Sequence, residues 1–269
     1  MFGQGFDFFL GRVGFDPSRV EGTGRQLVTR ELPHPFDYHD NALLLLPNDL
    51  PAPRDTDLKV NFPMAVAQLL ERFVPFFHGR TLALFTANSR RDLVYDTIAS
   101  PLAGDGYQVL CQGHGSMRQL IETFRDDHTS SLLGSRSLWE GVDVPGESLS
   151  YLFMEKLPYP SLGDPVEAAR MGAVEAAGGD AFYGYMLPKM TILLKQGFGR
   201  LIRSETDRGV AILLDKRLRN AMYRMEVLRS LPDPSIGYES DTDMFRRVAE
   251  WMGLAFDPED LPAPTVTDL

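Results

Sequence analysis

The sequence alternates short, almost wholly apolar segments with longer amphipathic ones. From residue 81 onward the apolar segments are 81–86, 107–112, 130–135, 150–157 and 209–215. Strands that are apolar throughout are typical of parallel sheets whose two faces are both covered by helices. An earlier apolar run, 42–47, ends in a turn rich in Pro and Asp and predicts one more buried strand. The pattern therefore predicts an α/β fold built on a mostly parallel sheet with helices on both faces.

One region interrupts this alternation. After the strand at 150–157, the turn-rich stretch LPYPSLGDP leads into two predicted helices, 164–177 and 181–203, before the last strand begins. We therefore expect a helical insertion at about 158–190 within a domain that spans 41–230.

The two ends of the chain differ from this domain. Residues 1–40 are rich in Gly and Pro and predict an irregular N-terminal segment. Residues 231–269 form an acidic tail in which one amphipathic helix is predicted at 241–253.

Composition excludes several classes of protein. Hydrophobic residues make up 43% of the chain, enough for a buried core, and the net charge of −10 argues against a general nucleic-acid coat protein. A local basic strip can still contact DNA. The sequence shows no signal peptide and no apolar run of about 18 residues, so we expect a cytoplasmic protein that does not cross a membrane.

Cysteine and histidine usage gives no metal site. Cys111 is the single cysteine, so it forms no internal disulfide and holds no iron–sulfur cluster in this chain. The histidines show no ligand spacing, so no metal is assigned to His34, His39, His78, His114 or His128.

The segment QGFGRLIR carries the strongest candidate chemistry. On a helix, Gln196, Arg200 and Arg203 lie at i, i+4 and i+7 and share one face. Guanidinium groups match phosphate oxygens and stay charged, so two of them together form a clamp for a phosphoryl group. Gly197 and Gly199 each cost a helix about 1 kcal/mol relative to Ala, which predicts close approach of another backbone or ligand. The alternative is an amphipathic helix with solvated arginines.

A second candidate segment is SLWEGVDVPGE, residues 137–147. It follows a predicted strand and carries Glu140, Gly141 and Asp143 in a loop at the strand's carboxyl end, the edge at which α/β sheets bind ligands. Its carboxylates can accept hydrogen bonds from a ribose, orient a water molecule or organise facing arginines. The alternative is a simple turn.

Together the two segments resemble motifs V and VI of superfamily-two helicases, in the branch that contains XPD and bacterial DinG-like helicases. LALFTANSRRDLVYD resembles motif IV, and HPFDYHDNALLLLPNDLP, KLPYPSLGDP and RGVAILLDKRL resemble other stretches of the same lobe. The resemblance runs from about residue 5 to about residue 230. It implies a RecA-like C-terminal motor lobe of an ATP-dependent DNA helicase, with the helical insertion between motifs V and VI.

The resemblance assigns roles to residues near the nucleotide. It implies that Arg200 and Arg203 act as fingers on the γ-phosphate of ATP bound by another lobe, and that Gln196 reaches the same nucleotide. It also implies a part in ATP binding, and in coupling the nucleotide site to DNA, for Glu140, Gly141, Asp143 and Gly199.

The resemblance also implies contacts with single-stranded DNA at Thr86, Ser89, Arg90, Lys156 and Tyr159. Arg90 and its neighbour Arg91 are both candidate phosphate contacts, for which the alternative is a solvated surface arginine. For Tyr159 the alternatives are stacking on a base and packing into its own loop. Asp215, at the end of a predicted strand, is a candidate partner for an arginine of QGFGRLIR.

Two expected parts of such a motor are missing from the sequence. It contains neither the phosphate-binding pattern G-x-x-x-x-G-K-[ST] nor a D-E-x-H box for magnesium. The resemblance therefore implies that ATP and Mg²⁺ are bound mainly by an N-terminal motor lobe of the same protein, and that this chain alone is monomeric and hydrolyses no ATP. The branch generally translocates 5′ to 3′ on single-stranded DNA.

Two other functions fit parts of the sequence. A chain with this fold can serve as a binding scaffold without catalysis, although a scaffold does not need the arginine pair. An unrelated α/β enzyme, such as a sugar-nucleotide transferase, can also bind a diphosphate with arginines and acidic loops. The joint presence of both segments favours the helicase lobe.

Overall fold

In the computed structural model of this chain, the described residues are 6–15, 20, 23–30, 32, 35–47, 49–53, 61–141 and 149–262. Within them the strands are β1 (Ala42–Leu45), β2 (Thr81–Leu84), β3 (Val109–Cys111), β4 (Ser131–Gly134), β5 (Tyr151–Met154), β6 (Gly209–Leu213) and β7 (Ser235–Gly237). They form one sheet in the order β3-β4-β2-β5-β6-β1-β7. Every pairing in it is parallel. The prediction of a parallel α/β sheet is confirmed.

The helices lie between and around these strands. They are α1 (Asp7–Val13), α2 (Tyr38–Asn41), α3 (Asn61–Phe76), α4 (Asn88–Gly104), α5 (Met117–Asp126), α6 (Arg136–Gly141), α7 (Pro165–Ala176), α8 (Leu187–Phe198), α9 (Arg217–Asn220), α10 (Arg224–Ser230) and α11 (Asp241–Met252). A π-helical turn, Phe182–Met186, leads into α8, and a short 3₁₀ turn, Pro258–Asp260, follows α11.

The sheet separates two apolar cores, as expected for strands that are buried on both faces. Strands β1 to β6 are buried at every position. Successive residues alternate between the cores, so Leu44 packs with residues of α5, α6 and α8. Leu43 and Leu45 pack with residues of α3, α4 and α11. The alternation follows from the two-residue period of a strand.

The segment that we expected to be a tail contributes to the sheet. Strand β7 pairs with β1 at one edge, and Leu44 lies opposite Ile236. Helix α11 buries Met244, Phe245 and Val248 in the core that also contains α3. The single helix predicted at 241–253 is present, and residues up to Met252 belong to the packed domain.

The insertion between β5 and β6 holds the elements nearest to the candidate site. Its first helix, α7, matches the predicted helix, with Asp164 capping it through a hydrogen bond from the Val166 amide. The second helix, α8, ends at Phe198, which is earlier than predicted. Within the described part of the chain, no helix combines the length and the apolar character that crossing a membrane requires.

Candidate functional site

The chain leaves the helical path before it reaches the two candidate arginines. Helix α8 ends at Phe198, so the prediction that Gln196, Arg200 and Arg203 share one helix face is wrong. Gln196 is exposed in the last turn of α8. A tight turn follows, in which the Arg200 amide donates to the Gly197 carbonyl at 3.1 Å.

Contacts from other parts of the chain end this helix. The carboxylate of Asp207 accepts from the backbone amides of Arg203 at 2.8 Å and Ser204 at 3.0 Å. In a continued helix, these amides would bond to carbonyls four residues earlier. The Tyr38 hydroxyl donates to the Ile202 carbonyl at 3.2 Å, and the side chain of Ile202 is buried. We call residues 199–203 the arginine turn.

The arginine turn contacts the second candidate segment directly. Both Arg200 and Arg203 are partly exposed, and Arg200 Nη2 lies 3.4 Å from the carbonyl oxygen of Trp139 in α6. Arg203 lies near Tyr38, where its charge favours the ionised phenol. Burial outweighs this effect and raises the pKa of Tyr38 to about 12. The structure therefore brings QGFGRLIR and SLWEG together, as the paired motifs predict.

Trp139 is the point at which three segments meet. Its ring is 2% exposed, and its Nε1 donates to the Phe85 carbonyl at the end of β2 at 3.2 Å. A Cβ atom on Gly197 would lie 2.6 Å from Trp139 Cε3, so only glycine allows α6 and α8 this separation. The close approach predicted for Gly197 is thus made by an aromatic ring. Gly199 shows no such tertiary neighbour, because the atoms nearest to its Cβ position belong to Lys195 and Gln196.

The acidic part of the second segment is only partly described. Glu140 and Gly141 form the end of α6, directly after Trp139. The predicted coupling residue Asp143 lies in 142–148, outside the described residues, as does the side chain of Glu140. Their proposed roles stay predictions.

A buried ion pair lies at the carboxyl end of β5, close to the end of β2. Glu155, which directly follows β5, is 2% exposed, and its Oε1 lies 2.6 Å from Arg90 Nε. Thr86 joins the pair, because its hydroxyl donates to Glu155 and accepts from Arg90 at 2.7 Å. Arg90 is therefore not a freely solvated arginine. Ser89, in the first turn of α4, is exposed.

Glu155 was not among the predicted site residues, and the solvated-surface alternative for Arg91 is wrong. An acidic residue immediately after a buried strand was the available signal for Glu155. Arg91 is buried, and its guanidinium donates to Asp92 at 2.6 Å and to Ser135 at 3.1 Å. Arg91 thus connects α4 to the residue that follows β4, and its side chain is buried and not solvated.

The loop after β5 carries the remaining DNA candidates. Lys156 is half-buried, and burial, followed by the charge of Arg90, lowers its pKa. The Tyr159 hydroxyl donates to the Tyr223 hydroxyl at 2.7 Å, and its ring centroid lies 6.0 Å from that of Phe182. Burial and the hydrogen bond with Tyr223 raise the pKa of Tyr159. Tyr159 therefore packs against residues of two other segments, and neither its own loop nor a free stacking surface accounts for these contacts.

A small cavity opens where these segments meet. Its volume is about 70 Å³, and its walls include Thr86, Trp139, Tyr159 and Ser161. It joins the ends of β2 and α6 to the loop after β5, so the proposed DNA contacts and the contact to the arginine turn share one region.

The prediction that Asp215 pairs with an arginine of QGFGRLIR is wrong. Asp215 is fully buried at the end of β6 and pairs with Arg217, whose Nε lies 2.7 Å from Oδ1. It also accepts from the Leu157 amide at 3.1 Å, which fixes the loop after β5. The neighbouring strands β5 and β6 thus each end in a buried carboxylate that is neutralised by an arginine from another segment or turn.

Comparison with known proteins agrees with this geometry. Residues 70–234, more than half of the chain, match the helicase C-terminal domain family. The chain is 37% identical over 203 residues to the ATP-dependent helicase DinG of Mycobacterium tuberculosis, covering 74% of this chain and 29% of that protein. It is 39% identical over 205 residues to the ATP-dependent DNA helicase YoaA of Escherichia coli, covering 75% and 30%.

The chain spans about three tenths of the length of these relatives. A solved structure of XPD in its apo form shares the fold, with a TM-score of 0.56, 16% identity, and coverage of 74% of this chain and 40% of that one. The chain therefore belongs to the helicase C-terminal domain family, as a RecA-like C-terminal lobe of the XPD/DinG branch of superfamily two.

Proposed function

We propose that this chain is the second motor lobe of an ATP-dependent DNA helicase and supplies Arg200 and Arg203 to ATP bound by an N-terminal lobe of the same protein. The observation that carries this proposal is the contact between Arg200 and the Trp139 carbonyl, since it joins the arginine turn to the segment of Glu140 and Gly141. Both arginines are partly exposed, as groups that reach another lobe must be.

The chemistry of phosphoryl transfer explains what an arginine turn contributes. Negative charge spreads over the γ-phosphate oxygens in the transition state, and guanidinium groups placed beside it lower the barrier. ATP and Mg²⁺ are held mainly by the other lobe, because this sequence lacks the phosphate-binding loop. Gln196, at the exposed end of α8, is proposed to contact the same nucleotide, and Gly199, which lies between them, is proposed to take part in the same coupling.

The proposed DNA path crosses the carboxyl ends of β2 and β5. Single-stranded DNA contacts the hydroxyl of Ser89 and the side of Thr86, whose hydroxyl proton is donated to Glu155, and Lys156 adds positive charge. Arg90 contributes mainly by neutralising Glu155, and Tyr159 contributes the part of its ring that faces the cavity. Trp139 connects this path to the arginine turn, so closing of the two lobes on ATP moves both together and drives translocation 5′ to 3′.

The proposal is tested in the full-length protein by Arg200→Ala and Arg203→Ala. We expect each to lower DNA-stimulated ATP hydrolysis by about 10³-fold or more, as removal of an arginine finger does. Binding of single-stranded DNA should stay within about twofold, because neither arginine is proposed to contact it. The measurement is steady-state ATPase activity at saturating DNA, with DNA affinity from fluorescence anisotropy.

Arg118→Ala is the matched control, since this arginine on α5 is 87% exposed and pairs only with the nearby Glu122 among the described residues. It should leave turnover unchanged. Undiminished turnover in Arg200→Ala would refute the finger assignment. Hydrolysis of ATP by the 269-residue chain alone would refute the proposal that the nucleotide site needs a second lobe.

A further inference from the structure

Three potential metal ligands meet beside the edge strand β3, away from the arginine turn in sequence. One donor atom each of Asp92, Cys111 and His114 lies within 4.8 Å of the other two. No metal was predicted at these residues from the sequence. Cys111 and His114 are nevertheless separated by only two residues, a short ligand spacing of the kind found in zinc sites.

The fold holds two of these ligands in one turn. Cys111 is the last residue of β3 and is 1% exposed. The His114 amide donates to the Cys111 carbonyl at 3.0 Å, and Gly113 between them has a φ of +100°, which favours glycine. The turn therefore returns the histidine ring towards the sulfur atom. The ring of Tyr95 packs edge-on against it, with centroids 4.5 Å apart.

The third ligand is oriented by a buried arginine. Asp92 lies just after the first turn of α4, and Arg91 donates to its Oδ1 through Nε at 2.9 Å and Nη2 at 2.6 Å. The Cys111 sulfur lies 4.0 Å from the same oxygen. Arg91 is itself fixed by Asn88 and Ser135. Carboxylates that bind metals are usually held in this way by an outer hydrogen bond.

We propose that Asp92, Cys111 and His114 form a binding site for a zinc-type divalent cation, with a water molecule in the fourth position. The mixture of one sulfur, one nitrogen and one oxygen donor suits Zn²⁺. Zinc bond lengths of about 2.0–2.3 Å place tetrahedral donors roughly 3.5 Å apart. His114 lies in an exposed turn and can move inward by the difference.

Charged groups of both signs lie beside the Cys111 sulfur: Arg91 is positive, and Asp92 and Asp96 are negative. Cysteine binds zinc as the thiolate, so the ion displaces the thiol proton. An ion here would tie β3 to α4, whose first turn adjoins the proposed DNA path.

The test uses Zn²⁺ and Co²⁺ as the probes. We expect about one zinc per chain by mass spectrometry after equilibration with Zn²⁺ and removal of loosely held ions. Co²⁺ in its place should give the near-ultraviolet charge-transfer band that a thiolate–cobalt bond produces. His114→Gln should weaken zinc binding by about 10-fold or more, and Cys111→Ser should also abolish the cobalt band.

His128→Gln is the matched control, because this histidine is also exposed in a turn but has no cysteine or carboxylate ligand set around it among the described residues. It should keep both the zinc and the band. Far-ultraviolet circular dichroism checks that each variant is folded, and His114→Gln changes only an exposed side chain. A chain without stoichiometric zinc, or zinc retained equally by His114→Gln, would overturn the proposal. Neither outcome bears on the ATPase tests, which concern other residues.

Discussion

The arginine turn and the start of α4 lie in the same candidate site but are held in place differently. Backbone hydrogen bonds fix the arginine turn, from Asp207 to two successive amides and from Tyr38 to the Ile202 carbonyl. Side-chain charge fixes the start of α4, where Arg90 pairs with the buried Glu155.

This difference bears on what each region can do. A backbone anchor sets the position of the main chain, while the guanidinium group of Arg200 reaches the Trp139 carbonyl. An ion pair orients the guanidinium itself and offsets the cost of burying the carboxylate. The first arrangement suits an arginine that acts on another lobe, and the second suits one that keeps a strand end in place.

The largest effect should come from removing the buried charge. Glu155→Ala leaves Arg90 and the Thr86 hydroxyl without their acceptor, and loss of one partner of a buried pair costs about 3–5 kcal/mol. Because Arg90 is 24% exposed, we expect the lower end, about 3 kcal/mol, in the free energy of unfolding by urea. Glu122→Ala, which breaks the exposed pair with Arg118, should cost less than about 1 kcal/mol. Equal losses in the two variants would remove the contrast between the regions.

A smaller effect is expected where α6 and α8 touch. Gly197→Ala places a methyl group against the Trp139 ring, and such overpacking costs about 1–3 kcal/mol, partly offset by the better helix propensity of Ala. The check is the midpoint of thermal unfolding. Gly199→Ala is the matched control, because Gly199 has a φ of −64° that any residue adopts. A midpoint for Gly197→Ala as high as that of Gly199→Ala would show that Trp139 is not held against α8 as described.

The smallest effect at neutral pH should come from Tyr38→Phe. It removes the hydrogen bond to the Ile202 carbonyl and should cost about 1 kcal/mol. Burial raises the pKa of Tyr38 from 10.0 to about 12, so the folded state favours the neutral phenol. This contribution is complete below pH 10 and is lost as pH rises towards 12.

The unmodified chain should therefore lose stability across pH 10–12, by on the order of 2 kcal/mol from this residue. Tyr38→Phe should lose less over the same range, although not nothing, since burial raises the pKa of Tyr151 to about 12 as well. Urea unfolding measured at pH 9 and pH 11 gives the comparison. Parallel losses in both proteins would show that Tyr38 does not anchor the arginine turn.

The sheet was predictable because its strands are buried on both faces. Burial demands apolar residues at every position, so runs such as 81–86 and 209–215 indicate strands without any knowledge of their neighbours. β7 was missed since it lies at an edge, where Ser235 is half-buried and Ile236 exposed and no continuous apolar run is needed.

The end of α8 was not predictable in the same way. Its local sequence permits a helix through Arg203, but in the structure Asp207 and Tyr38 hydrogen-bond backbone groups of residues 202–204 outside the helix. The glycine at 197 could be noticed in the sequence, but the Trp139 ring beside it comes from a segment 58 positions earlier, on the same face of the sheet.

The sequence by itself determined the kinds of element, their order and the motifs QGFGRLIR and SLWEG, because these depend on burial and spacing along a short stretch. Only the tertiary structure decided the distant partners: Arg90 with Glu155, Gly197 with Trp139, and Cys111 with Asp92. Such partners depend on which strand ends become neighbours in the order β3-β4-β2-β5-β6-β1-β7. That order brings together residues that are far apart in sequence. No local sequence pattern predicts that such residues will be neighbours.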